Sequence, residues 1–282
     1  MLTHTVFGRG EFLAYGQEFQ DPLIALGVSL LLALAGRFLK AGFLAAASGG
    51  LGVAAGWYGV STLPFSLAPR LLSDRLTLLA AVVSLIALTA VRFAPTRGPW
   101  PPLLLMALGS GWWLAGAPHT HAELLAVWPV AAGIAAAVIA VGWFTAGPVA
   151  DPLVPALAGA TLAGSLDVAG SSWSWTIMAL VPAAAALGML AAPRMPALVL
   201  LPLAADIAAT GAATDFTTGH LARGELRAVD VAVLSPLLAL WLTPRLAGWL
   251  RLAGRAGPLL AAVLAGAVAV GVAWGSLRLR GR

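Results

Sequence analysis

The sequence predicts an all-α polytopic membrane protein, a transmembrane helical bundle of about ten spans with bounds of nine to eleven. Three observations carry this reading. Apolar residues make up 60% of the 282-residue chain and charged residues only 10%, against about 25% charged in an ordinary soluble domain. The apolar residues fall in runs long enough to cross hydrocarbon instead of in amphipathic stripes, and the mean hydropathy is +0.93. Ten of the eleven tryptophans fall at or near the ends of those runs, where an indole, apolar in body with one N–H donor, favours the headgroup level.

The chain opens with residues 1–20, which lack the basic start and continuous apolar stretch of a cleavable signal. Phe12, Tyr15 and Phe19 share one helical face there, so a short helix lying in the interface is expected. Charges and Pro/Gly punctuation then delimit ten candidate spans. The first five are Leu23–Leu39, Phe43–Val60, Leu76–Val91, Pro102–Leu114 and Leu124–Phe144. The second five are Leu153–Leu166, Ile177–Ala192, Ala197–Ala213, Val231–Leu242 and Leu259–Trp274. Several are shorter than the ~20 residues a perpendicular helix needs, so some are expected to lengthen or to cross only part of the bilayer. Between the last two, Thr243–Pro258 mixes Leu246, Trp249, Leu250 and Leu252 with Arg245, Arg251 and Arg255, the pattern of an interfacial helix.

Small residues crowd several spans, notably Ala45–Ala55 with Gly49, Gly50 and Gly52, and Gly52 with Gly56 forms a G-x-x-x-G. Small side chains let backbones approach where lipid provides no hydrophobic drive for association, so a tightly packed bundle is expected.

The chain reads as one transmembrane domain, 1–282, with two five-span halves after the N-terminal segment: residues 21–150 and 151–282. Asp21-Pro22-Leu23 and Asp151-Pro152-Leu153 open the halves 130 residues apart, and Arg97 and Arg227 share that offset. If the halves are related, an odd number of spans per half makes the repeat inverted, an architecture common among transporters. Small ten-span metabolite exporters have this size and layout. The basic residues divide eight to each side of a ten-span chain, so the positive-inside rule leaves orientation open.

Several classes of chemistry are absent. There is no cysteine, hence no disulfide, thiolate metal site or thiol nucleophile. The fifteen Arg and single Lys lie in short clusters between apolar runs, as membrane anchors do, which excludes nucleic acid as the partner. There is no nucleotide loop, haem motif or complete metal motif, and no cofactor is expected.

The polar residues worth singling out are few. Asp206 follows the apolar run Val199–Ala205 near the middle of its candidate span, and Thr210 and Thr214 continue its helical face. A carboxylate inside a span is expensive, about 2.5–3.5 kcal/mol at the centre on insertion scales, so this face should turn into the bundle, either to pin packing or to serve solute, proton or ion. Asp215, Thr217, Thr218 and His220 follow at the membrane edge. Asp215 with Thr218 suits a cap for the next helix, and His220 is a group able to shuttle protons near neutral pH. Asp167 ends the sixth span beside Ser171 and Ser172, as an interfacial turn or one wall of a polar vestibule. His119, Thr120, His121 and Glu123 place three potential metal ligands at alternate positions, which face one way only in extended chain. The leading expectation is a small-solute permease or exporter with Asp206, Thr210, Asp215, His220 and Asp167 on its substrate or proton pathway. It is expected in the bacterial inner (cytoplasmic) membrane, with the lipid bilayer and a small-molecule solute as partners. The alternatives are a membrane-embedded enzyme acting on a lipid or isoprenoid substrate, and a non-catalytic subunit of a membrane complex.

Overall fold

A computed structural model describes residues 19–60, 72–93, 98–145, 151–192, 197–218, 228–250 and 256–280. Among these residues the chain is all-α, with ten α-helices. They are α1 (Gln20–Phe38), α2 (Gly42–Val60), α3 (Leu72–Phe93), α4 (Trp100–Leu114), α5 (His121–Thr145), α6 (Leu153–Val168), α7 (Trp173–Gly188), α8 (Leu201–Thr218), α9 (Ala228–Leu250) and α10 (Ala256–Arg280). Each of the ten apolar runs coincides with one helix. Short 3₁₀ turns, Met189–Ala191 and Ala197–Leu200, follow α7 and precede α8.

Among the described residues six segments are long and apolar enough to cross a membrane: Gln20–Phe38, Asp74–Arg92, His121–Thr145, Trp173–Ala191, Leu198–Asp215 and Val229–Ala247. Leu153–Val168 and Leu260–Ser276 are shorter apolar helices. The protein is thus an integral membrane helical bundle, and ten separate crossings are more than these lengths establish. Helix α4 has 15 residues, which rise only about 22 Å against a hydrocarbon core of about 30 Å.

The interfacial helix expected over Thr243–Pro258 is not a separate element as far as Leu250. Helix α9 continues through Pro236 and Pro244 to Leu250, and residues 251–255 lie outside the described residues. Proline is tolerated inside a membrane helix because neighbouring groups satisfy the carbonyl it leaves free. Around Pro244 two side chains also bond the helix backbone: Thr243 Oγ1 donates to the Ala239 carbonyl and Arg245 Nη1 to that of Trp241, with the guanidinium 3.7 Å from the Trp241 ring centroid. The carbonyls that Pro236 and Pro244 leave without a main-chain donor are those of Ala232 and Leu240. The interfacial helix expected over residues 1–20 also lies outside the described residues, apart from Gln20, which opens α1, and Phe19, whose ring meets Trp173 edge-on at 5.6 Å.

The glycines of α2 explain the packing. A Cβ at Gly52 or Gly56 would run into α1, at the Ala25 carbonyl 2.8 Å away and the Asp21 carbonyl 2.9 Å away. Gly50 faces Ser84 of α3, while Gly49 faces Met189 and Leu203 of α8. Four glycines therefore open α2 to neighbours in several directions, as expected of small residues in a lipid-solvated bundle.

Tryptophan behaves in two ways. Trp100, Trp112, Trp128, Trp143, Trp173, Trp241 and Trp274 are exposed on the outside of the bundle. Trp57 departs from the expected belt: it is fully buried and its Nε1 donates to the Met178 carbonyl at 3.0 Å, tying α2 to α7. Position near a run end was compatible with either role, and only packing of α7 over α2 selects the interior one. Trp57→Phe is expected to lower unfolding stability in detergent by about 1–2 kcal/mol through that lost bond. An unchanged thermal midpoint would show that the bond contributes nothing.

Helices α1–α5 fall in the first half of the chain and α6–α10 in the second. Sequential neighbours pack alike in both halves, and α2 with α7 and α3 with α8 meet across them. The remaining cross-contacts are uneven. Helix α1 packs closely on α7, whereas α6 makes no comparable contact with α2 and packs instead on α9 and α10.

Candidate functional site

Helix α8 is the axis of the bundle. Of the Leu198–Asp215 stretch 94% is buried, against 22% of the most apolar stretch of His121–Thr145, and α8 touches α2 through α7 and α9. Its apolar residues account for this by packing all round: Leu203 meets α2 at Gly49, while Gly211 approaches Val233 of α9 and Leu162 of α6. A helix apolar on every side belongs inside its protein.

Into this interior α8 carries a polar column. Asp206, Thr210 and Thr214 are all fully buried. Successive members are separated by four residues, so they lie along one face, on the same side as Leu203 and about 140° around the axis from Gly211 to Asp206. The Thr210 hydroxyl donates to the Asp206 main-chain carbonyl at 2.8 Å, and the Thr214 hydroxyl to that of Thr210 at 2.8 Å. Thr210 is therefore within reach of Asp206, as the spacing requires, yet its bond is to the backbone and not to the carboxyl group. Both Asp206 carboxyl oxygens are shielded from solvent and neither has a hydrogen-bond partner among the described residues. Buried polar atoms are paired in the great majority of cases, so a carboxyl group with both oxygens unpaired is exceptional.

Asp215 lies one turn from the end of α8 and is 5% exposed. The structure places Asp215 inside α8, which runs on to Thr218, and the next helix among the described residues starts at Ala228, so Asp215 does not stand at that helix's N-cap position. Instead the Asp215 side chain hydrogen-bonds that of Asp230, in the first turn of α9. Two carboxyl groups bonded this way hold a proton between them.

The other sequence candidates separate from this column. Asp167 is exposed in the last turn of α6, with its main-chain carbonyl accepting from Gly170. His220 and the side chains of Thr217 and Thr218 lie outside the described residues. His119, His121 and Glu123 sit on the surface at the start of α5. There Glu123 accepts from the main-chain N–H of His119 at 2.8 Å, and the Thr120 hydroxyl accepts from that of Glu123 at 3.2 Å. This is a capping box, with Thr120 and Glu123 satisfying orphan N–H groups reciprocally. The T-x-x-E spacing was legible in the sequence; reading the histidines as alternating ligands obscured it. Among the described residues no group of three or more His, Asp or Glu is placed to hold a metal ion.

The structure adds one residue that the spacing left in a loop. Asp74 is 1% exposed in the first turn of α3, two residues before the apolar run at Leu76. Its neighbour Thr77 donates to the Trp57 carbonyl at 3.3 Å, which brings the start of α3 against the end of α2. Acidic residues favour a first helical turn, and that was the available signal.

No family model, curated protein or solved structure matches the chain.

Proposed function

We propose that this integral membrane protein is a small-solute permease or exporter whose pathway runs along the polar column of α8, with Asp206 as its proton- or solute-binding group. One observation carries the reading. A helix enclosed by seven others holds at its middle a carboxyl group with no hydrogen-bond partner among the described residues. Such a group opposes stability, and its retention makes sense if it meets something mobile. Thr210 and Thr214 supply hydroxyls along the same line, and the Asp215–Asp230 pair lies further along α8 as a second proton-holding station.

The chain has no cysteine, so a single introduced thiol is the only one present. Thr210→Cys and Thr214→Cys in membrane vesicles are expected to react with a small hydrophilic methanethiosulfonate reagent. Ala205→Cys is fully buried on the far side of α8 from Thr214 and is expected to stay unreactive. Equal inertness at all three positions would remove the pathway.

The Asp215–Asp230 pair favours a second reading, a membrane-embedded enzyme acting on a lipid or isoprenoid substrate with this pair as its acid–base group. In that case a thiol at position 215 is reached by a lipid-soluble maleimide, and positions 210 and 214 are not reached by the hydrophilic reagent.

A further inference from the structure

A groove of about 220 Å³ runs between α3 and α4. On α3 its wall is Leu79, Val83 and Ile86, and Arg75 lies one turn before Leu79 on the same face. On α4 the wall is Met106, Gly109, Ser110 and Trp113. The rims, Val82 and Leu105, are 45% and 58% exposed, so the groove opens outward to the surrounding lipid. A Cβ at Gly109 would meet nothing within 4 Å, so the space beside it is empty of protein.

The groove is apolar along its length and polar at one end. Arg75 Nη1 donates to the Trp113 carbonyl at 3.0 Å, Trp113 Nε1 donates to the Arg75 carbonyl at 3.0 Å, and the guanidinium is 5.9 Å from the Trp113 ring centroid. These contacts hold a half-buried cation and an indole together at the mouth. Three residues before Trp113, about 4.5 Å along the axis, Ser110 is fully buried and its Oγ has no hydrogen-bond partner among the described residues. Ser84, Thr145, Thr210 and Thr214 each donate to the carbonyl four residues back. The hydroxyls of Ser110, Ser165 and Thr176 are buried without a partner among the described residues, and of these three Ser110 is the one that lines the groove, where its donor is left for a guest.

We propose that this groove is a binding site for one anionic phospholipid. Its phosphate pairs with Arg75, an ester carbonyl at the next level accepts from Ser110, and one acyl chain lies past Gly109 between Met106 and Leu79. The order of groups matches the order in a lipid: anion, then ester, then hydrocarbon. A guanidinium suits a phosphate because its planar donors engage two oxygens at once. A second helix as occupant would leave the Arg75 charge and the Ser110 donor unanswered at this depth, so an anionic lipid is the better fit.

The test is native mass spectrometry of the full chain in detergent, with dioleoyl phosphatidylglycerol and dioleoyl phosphatidylcholine added at equal concentration. The unaltered protein should retain phosphatidylglycerol about fivefold better, the equivalent of roughly 1 kcal/mol for one basic residue at the membrane surface. Arg75→Gln should abolish that preference. Gly109→Leu, whose Cβ meets nothing within 4 Å, fills the groove and should weaken retention of phosphatidylglycerol about tenfold, since two or so methylenes lose their contact with protein. Gly133→Leu is the control, made on an exposed face of α5 where a Cβ also meets nothing within 4 Å; it should leave retention unchanged. Equal retention of the two lipids by the unaltered protein would overturn the proposal. So would a Gly109→Leu protein indistinguishable from Gly133→Leu, or a lipid-free dimer that Gly109→Leu dissociates.

Discussion

Asp206→Leu is expected to raise the thermal stability of the detergent-solubilised protein while abolishing transport. Asp206 is fully buried and neither carboxyl oxygen has a partner among the described residues. On insertion scales an aspartate at a helix centre costs about 2.5–3.5 kcal/mol, whereas leucine there is favourable by about 0.5 kcal/mol. Against that gain stands the strain of a bulkier side chain in a packed core, about 1–3 kcal/mol. The net expectation is a stabilisation of roughly 1–2 kcal/mol, read as a higher midpoint of tryptophan fluorescence on heating. Asp206→Asn separates shape from charge. It keeps the outline and an acceptor oxygen, so it should leave the midpoint nearly unchanged and still stop transport. If Asp206 instead pins the helices through a structural bond, both changes lower the midpoint, and the permease reading loses its central support.

Gly188→Leu should have the opposite effect on stability, and a larger one. Gly188 ends α7 where α1 crosses it, and a Cβ there would lie 2.7 Å from the Leu26 carbonyl and 2.8 Å from the Leu30 main-chain nitrogen. Main-chain atoms cannot rotate away, so α1 must shift outward and give up its contacts with both α7 and α2. Overpacking of this kind costs about 3 kcal/mol or more, beyond the ~1 kcal/mol that replacing a helical glycine usually returns. Gly133→Ala on α5 isolates that second term. A Cβ at Gly133 meets nothing within 4 Å, so alanine there should stabilise by roughly 0.5–1 kcal/mol. Paired thermal scans in one detergent decide between these signs. A tolerated Gly188→Leu would mean that α1 is not held against α7 as described.

The sequence by itself determined the all-α membrane class, because apolar runs with so little charge have no other solvent than lipid. It also determined roughly where the ten helices of the described residues lie, since charge and turn residues interrupt the apolar runs, although prolines such as Pro236 and Pro244 proved to lie inside a helix and not at its end. It marked Asp206, Thr210 and Thr214 as one face, because a four-residue spacing on a helix is local geometry. Which helix occupies the centre was not legible. Helix α8 and helix α5 are both apolar runs, and hydropathy does not distinguish contact with protein from contact with lipid. Tertiary packing alone put α8 inside and left most of α5 outside. The same holds for Trp57, whose place in the core depends on α7 lying over α2, and for the Asp215–Asp230 pair, which joins residues of separate helices. Partners across helices are chosen by small-residue contacts such as Gly52 with Ala25 and Gly188 with Leu26. In a chain with 32 glycines, no spacing rule says which of them will be approached.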